Sequence, residues 1–201
     1  MRDDDFAGTA RIEYFDHKFQ TQALKLLPGE YQVAPADTML VTVVGSCVAA
    51  CIRDTRLGIG GMNHFMLPDG GAADGPGSES ARYGVYAMEV LVGKLLKLGV
   101  DREHLEAKVF GGGTLLETAK RSVGERNAAF VLRFLRGQGI RIAAQDLLGV
   151  HPRKIYFFPD TGRTLVKTLR ALHNDTIVQR ERDYRARLLG ESSAARVDAP
   201  G

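Results

Sequence analysis

The rhythm of hydrophobic and polar positions changes along this chain. Through LKLLPGEY the first thirty residues mix charge and aromatics without a clear period. Residues 1–30 therefore read as an N-terminal arm. From Tyr31 short β-branched runs take over: YQVA, then MLVTVV at 39–44, then VAACIR at 48–53, each separated from the next by turn residues. That is the signature of successive strands. LGIGGMNHFMLP reads as a glycine-loosened strand ending at Pro68, and the following DGGAADGPGSES at 69–80 has the composition of a flexible loop.

Ser78 or Ser80 then offers an N-cap to ARYGVYAMEVLVGKLLKLG, whose spacing predicts a helix with Tyr86, Val90, Leu91, Leu95 and Leu98 on one face and Gly99 as its stop. LEAKVF at 105–110 predicts a strand. It is followed by Gly111, Gly112 and Gly113, a helical TLLETAKR, and a second main helix over 125–136. IRIAAQDL, KIYFFP and TLVKTL predict three further strands, and from Asn174 an Arg-rich segment predicts a helix fraying into a small, polar tail. Strands alternating with two main helices give an α/β, single-domain layered sandwich. Its parts are an arm at 1–30, a core domain at 31–173 and an Arg-rich extension at 174–201.

Composition narrows the function classes only a little. The 201 residues are 44% hydrophobic and 25% charged, ordinary for a globular domain large enough to hold a core without disulfide or metal. A net charge of +3 is weak support for nucleic acid, and none is expected as a partner. No run has the length of a membrane span, and MRDDDFAGTA lacks the layout of a signal peptide. Cytoplasmic location, with reduced thiols, is the expectation.

Both cysteines lie in GSCVAACIRD, residues 45–54. In an extended strand Cys47 and Cys51 sit roughly 13 Å apart, too far for a disulfide. Two thiols also fall short of a zinc ligand set unless histidines join them. Cys51, inside an apolar run, reads as a small core residue. Cys47 follows Gly45-Ser46, a turn able to expose the sulfur and to aim backbone N–H groups at an oxyanion. Among five histidines, His64 is best placed. If VAACIRD and GGMNHF pair antiparallel around 55–57, the ring returns beside Cys47. This reading needs the Cys47 sulfur open to solvent. Asn63 has the opposite strand parity and reads as structural. The glycine triplet lacks phosphate-loop spacing and reads as a tight turn or close backbone approach. His104 and His151 read as solvated, and the charges of the run Arg180, Arg182, Arg185, Arg187 as compensated by Glu181 and Asp183.

LVTVVGSCVAACIRD, GGMNHFMLP, RYGVYAMEVLVGKLLKLG, LEAKVFGGG and IRIAAQDLLG…RKIYFFPDTGRTLVKTL, in that order from about Tyr31 to Leu169, resemble the CheD family of chemoreceptor glutamine deamidases. The resemblance implies a cytoplasmic enzyme of bacterial chemotaxis that converts glutamines of methyl-accepting chemotaxis receptors to glutamate. It implies a catalytic set of Cys47, His64 and Thr42, with Thr38 as a distant substitute for Thr42. It also implies a sandwich related to the catalytic domain of cytotoxic necrotizing factor toxins, and a CheC-type phosphatase as a second partner. A monomer is expected.

In the mechanism so implied, Cys47 attacks the carboxamide, backbone N–H groups at Ser46 and Cys47 hold the oxyanion, and His64 protonates the departing ammonia and then activates water. Thr42 orients the ring. No cofactor or metal is called for. A glutamine presented by folded protein suits a shallow cleft, with the loop at 69–80 as a rim. The alternatives are a non-enzymatic adaptor for the phosphatase or the receptors, and a papain-like peptidase. The short interval from Cys47 to His64 argues against the peptidase.

Overall fold

The computed structural model describes residues 8–67, 79–114, 123–170 and 174–194. Ten strands form two five-stranded sheets. The first sheet has the order β1 (Ile12–Asp16), β2 (Thr21–Lys25), β4 (Thr38–Val44), β9 (Arg153–Phe157), β10 (Thr164–Thr168). The second has the order β3 (Tyr31–Ala34), β6 (Gly60–Phe65), β5 (Val48–Asp54), β7 (Leu105–Gly111), β8 (Arg141–Leu147). Helices α1 (Glu79–Lys97) and α2 (Val123–Gly137) pack against the second sheet, and α3 (Asn174–Ala194) follows the last strand. The α/β sandwich expected from the sequence is the observed class.

Strand alternation sorts the side chains into layers. Val48, Ala50 and Ile52 of β5 face a core shared with Met88, Leu91 and Leu95 of α1 and Val131 and Leu135 of α2. Cys47, Ala49 and Cys51, of opposite parity, face a second core shared with Leu40, Val44, Ile155 and Phe157 of the other sheet. Residues two apart on a strand share a face, so one β5 strand serves both layers. Met39 and Val41 of β4 turn to the outer side of the first sheet, against Tyr14, Phe19, Tyr156 and Phe158.

Two expectations change here. The segment read as a patternless arm supplies β1 and β2, and β2 runs parallel to β4 with Leu24 opposite Leu40. Its five-residue strands, at the edge of a sheet, are too short and too exposed on one side to show a period. On α1 the buried face is Met88, Leu91, Val92 and Leu95, while Tyr86 is 67% exposed. The stop at Gly99 is as expected, with φ +81°. The loop at 69–80 lies almost wholly, and the helical stretch after Thr114 wholly, outside the described residues. Among the described residues no helix is long and apolar enough to cross a membrane.

Candidate active site

The site begins with a hairpin. β5 and β6 pair antiparallel with Ala49 opposite His64 and Val48 opposite Phe65. The pairing returns the His64 ring to the same face as Ala49 and Cys47, one residue pair from the thiol, as the local hairpin required. Asn63, of opposite parity, turns away: its Nδ2 donates to Ala87 O (3.0 Å) and its Oδ1 accepts from Ala50 N–H (3.2 Å), a structural bracket between sheet and α1.

Thr42 comes from the other sheet. It shares parity with Leu40 and Val44, so its hydroxyl enters the layer between the sheets, where Oγ1 lies 2.8 Å from His64 Nδ1 and 2.9 Å from Leu26 O. The single hydroxyl proton is committed to the Leu26 carbonyl, since a carbonyl only accepts. Thr42 Oγ1 therefore accepts from His64, which fixes the proton of the neutral ring on Nδ1. The opposite nitrogen, Nε2, is buried and has no hydrogen-bond partner among the described residues. Thr38, at the far end of β4, has its hydroxyl toward Asp37 and takes no part.

The GSC turn is held from behind. Gly113 N–H donates to Gly45 O (2.7 Å), Gly112 N–H to Cys47 O (2.8 Å), and Asn127 Nδ2, from α2, to Ser46 O (2.8 Å). Across a planar trans peptide the C=O of one residue opposes the N–H of the next, so holding Gly45 O and Ser46 O turns the N–H groups of Ser46 and Cys47 the other way. The glycine triplet is thus a close backbone approach. Gly111 sits at φ +108°, and a Cβ there would collide with Cys47 O. Asn127 was not singled out from the sequence. Its only signal is an amide on the buried face of an otherwise apolar stripe.

The converging N–H groups meet a carboxylate. Glu181 of α3 accepts from Gly45 N–H (2.8 Å) and Cys47 N–H (3.2 Å) through Oε1, and from Ser46 N–H (2.9 Å) and Ser46 Oγ (2.5 Å) through Oε2. The Cys47 sulfur, a His64 ring nitrogen and a Glu181 carboxylate oxygen all lie within 4.8 Å of one another. Such a set has the ligand types of a metal site. Here, however, four donors already engage the carboxylate oxygens, and a concavity of N–H groups suits an anion.

Glu181 overturns one expectation. Cys47 is not open to solvent: its relative exposure is 0%. The cover is α3, whose Ile177, Glu181, Tyr184 and Leu188 form one helical face turned inward, the last three buried. Tyr184 passes over Gly29 and places its hydroxyl against that of Tyr83. Gly29 is the third residue of an LPGE turn, at φ +88°, and a Cβ there would lie 2.7 Å from the Tyr184 hydroxyl. Sequence periodicity missed this face because its centre is a glutamate, and because the four arginines around it are all exposed.

Electrostatics follow from the cover. Burial raises the Cys47 thiol well above its usual range, and the neighbouring Glu181 charge raises it further. Burial lowers His64 to about 4, with Glu181 opposing. The pair is therefore a neutral thiol and a neutral imidazole. Cys51, also free, is raised by burial alone among the groups that lift it. Between His64 and α3 a cavity of about 20 Å³ is lined by Leu26, Pro28, Val43, Ile177 and Glu181, room for about one water.

Residues 66–168 match the family described as CheD chemotactic sensory transduction. This chain belongs to the CheD family. Similar proteins include a probable chemoreceptor glutamine deamidase CheD of Thiobacillus denitrificans, 59% identical across 92% of this chain and 93% of that protein. Another of that description, from Herminiimonas arsenicoxydans, is 57% identical over 92% of each chain. A third, from Shewanella oneidensis, is 49% identical over 98% of this chain and 97% of its own. The CheD match at 66–168 begins two residues beyond His64. The relatives' matches, by contrast, cover 92% of this chain or more and so include Thr42, Cys47 and His64.

Proposed function

We propose that this CheD chain is a cysteine-dependent amidohydrolase that converts glutamine side chains of chemoreceptors to glutamate in the cytoplasm. One observation carries the reading. A thiol, an imidazole with its Nδ1 proton directed to Thr42 and its Nε2 without a partner among the described residues, and three backbone N–H groups converge on one point.

The chemistry follows from those atoms. With a neutral carboxamide in place of the Glu181 carboxylate, the charge that opposes thiolate formation is gone, and the Cys47 proton passes to His64 Nε2. The thiolate adds to the carboxamide carbon, and the oxyanion takes the N–H groups of the GSC turn, preorganised by Gly112, Gly113 and Asn127. His64 then gives its proton to the departing nitrogen, and ammonia leaves. Water adds to the thioester with His64 as base, the S–C bond breaks, and the product is a γ-carboxylate. Thr42 is a positioning residue throughout. The adaptor reading gives no reason for a buried imidazole and a buried thiol within 4.8 Å of each other beneath a cluster of backbone N–H donors.

The test is mass spectrometry of receptor peptides together with ammonia release. Wild type and Cys51→Ala should each produce a one-dalton gain per converted glutamine, and Cys47→Ala none. Conversion that persists without the Cys47 sulfur would refute the reading, as would cleavage of the receptor chain.

A further inference from the structure

The least expected contact in the molecule is a glutamate side chain seated where the reaction makes one. We infer that α3 is a built-in product analogue: it fills the groove in which a substrate helix binds, with Glu181 in the position of the converted side chain. The inference rests on the deamidase reading and deepens it.

Three observations carry it. First, Glu181 takes every N–H of the GSC turn, Oε1 from residues 45 and 47 and Oε2 from residue 46, so both product oxygens are accounted for. Second, the carboxylate lies beside both Cys47 and His64, the two groups that must flank a reacting γ-carbon. A merely structural glutamate needs neither. Third, the fit extends along the helix. Ile177 lines one cavity with Leu26, Pro28 and Val43, Tyr184 meets Gly29 and Tyr83, and Leu188 enters the core between the sheets. The groove therefore reads a helical face with apolar residues four before, three after and seven after the reactive position, the spacing that places side chains on one stripe. The raised thiol of the closed state agrees, since a bound carboxylate beside Cys47 suppresses thiolate in the way a retained product would.

Two consequences follow. A substrate segment must present glutamine within that apolar pattern on a helix, and it must displace α3. A molecule whose groove is free only a fraction of the time binds substrate more weakly by that fraction.

The full chain carrying Glu181→Gln tests the first half without any receptor. Its carboxamide would occupy the acyl site, and the enzyme would process it: Cys47 Sγ adds to the side-chain carbon, the C–N bond breaks as ammonia takes the His64 proton, and water then releases Sγ and restores Glu181. The expected result is a one-dalton gain at position 181, first order and independent of protein concentration, and absent in the Cys47→Ala/Glu181→Gln double variant. A glutamine that persists at this position, or converts at a rate proportional to protein concentration, overturns the inference. For the second half, full-length Glu181→Ala should deamidate receptor with kcat/KM raised about tenfold if about one molecule in ten is open at rest. An unchanged or lowered value overturns the self-blocking role and makes Glu181 a participant in the chemistry. Receptor conversion by wild type, beside a Glu181→Gln chain whose introduced carboxamide stays inert, would leave the proposed function standing and remove this inference. Conversion of that introduced carboxamide beside an untouched receptor would do the reverse.

Discussion

At the scale of single residues, the decisive group is Thr42, because one hydroxyl proton settles the state of the ring. Its donation to Leu26 O forces acceptance from His64 Nδ1, and that leaves Nε2 as the nitrogen without a proton. Thr42→Val keeps the shape and removes the acceptor. The expected loss is about tenfold to a hundredfold in kcat with KM nearly unchanged, a part of what a proton-transfer group is worth. Thr42→Ser should recover most of it. A packing role would give the opposite result, with valine tolerated and serine costly. The GSC turn and the short interval to His64 made Cys47 and His64 legible before any coordinates, whereas Thr42 was legible only through the resemblance to the CheD family. Asn127 and Glu181 were not legible. Each is a polar residue on a helix, and the partners that explain them, Ser46 O and the GSC N–H groups, are 81 and 134–136 positions away in the chain.

At the scale of elements, the GSC turn works because two separate segments hold its carbonyls. Glycines after β7 take two of its carbonyls, and α2 takes the third through Asn127, whose Oδ1 also accepts from Leu67 N–H at 2.8 Å. Asn127→Ala would strand two backbone groups, the buried Leu67 N–H and the part-buried Ser46 O. It should cost about 2–6 kcal/mol in urea unfolding, at about 1–3 kcal/mol for each unpaired group, and lower kcat more than it raises KM, because the lost order falls on the oxyanion donors. If stability drops while kcat holds, α2 braces the fold but not the turn. The strands of the second sheet were readable as runs, and their order was not. The β5–β6 hairpin is local, whereas the pairing of β5 with β7 joins segments about sixty residues apart.

At the scale of the whole molecule, the site is the meeting of two sheets and a terminal helix. Thr42 stands on one sheet, Cys47 and His64 belong to the other, and Glu181 closes the junction. Sealing an imidazole there has a consequence for stability. The folded chain holds His64 near 4, chiefly by burial, whereas an unfolded histidine titrates near 6.5. Between those values the unfolded chain takes up a proton that the folded chain refuses. Stability is therefore full above about pH 6.5 and declines at about 1.4 kcal/mol per pH unit as the pH falls through the window. Unfolding free energies measured from pH 7 to pH 4 should fall more steeply for wild type than for His64→Asn. Parallel curves would mean the ring is hydrated and the site open.

The sequence by itself determined the sandwich class and the hairpin that returns His64 to Cys47. Both follow from nearest-neighbour periodicity and one short turn. Only the tertiary structure decided that the segment at 26–30 supplies Leu26 O and the floor beneath Tyr184, that α2 braces the GSC turn, and that α3 covers the thiol. Those arrangements join distant segments through hydrogen bonds to backbone atoms, and a backbone N–H or C=O is the same whatever residue carries it. No pattern of side-chain types records which of them will be paired.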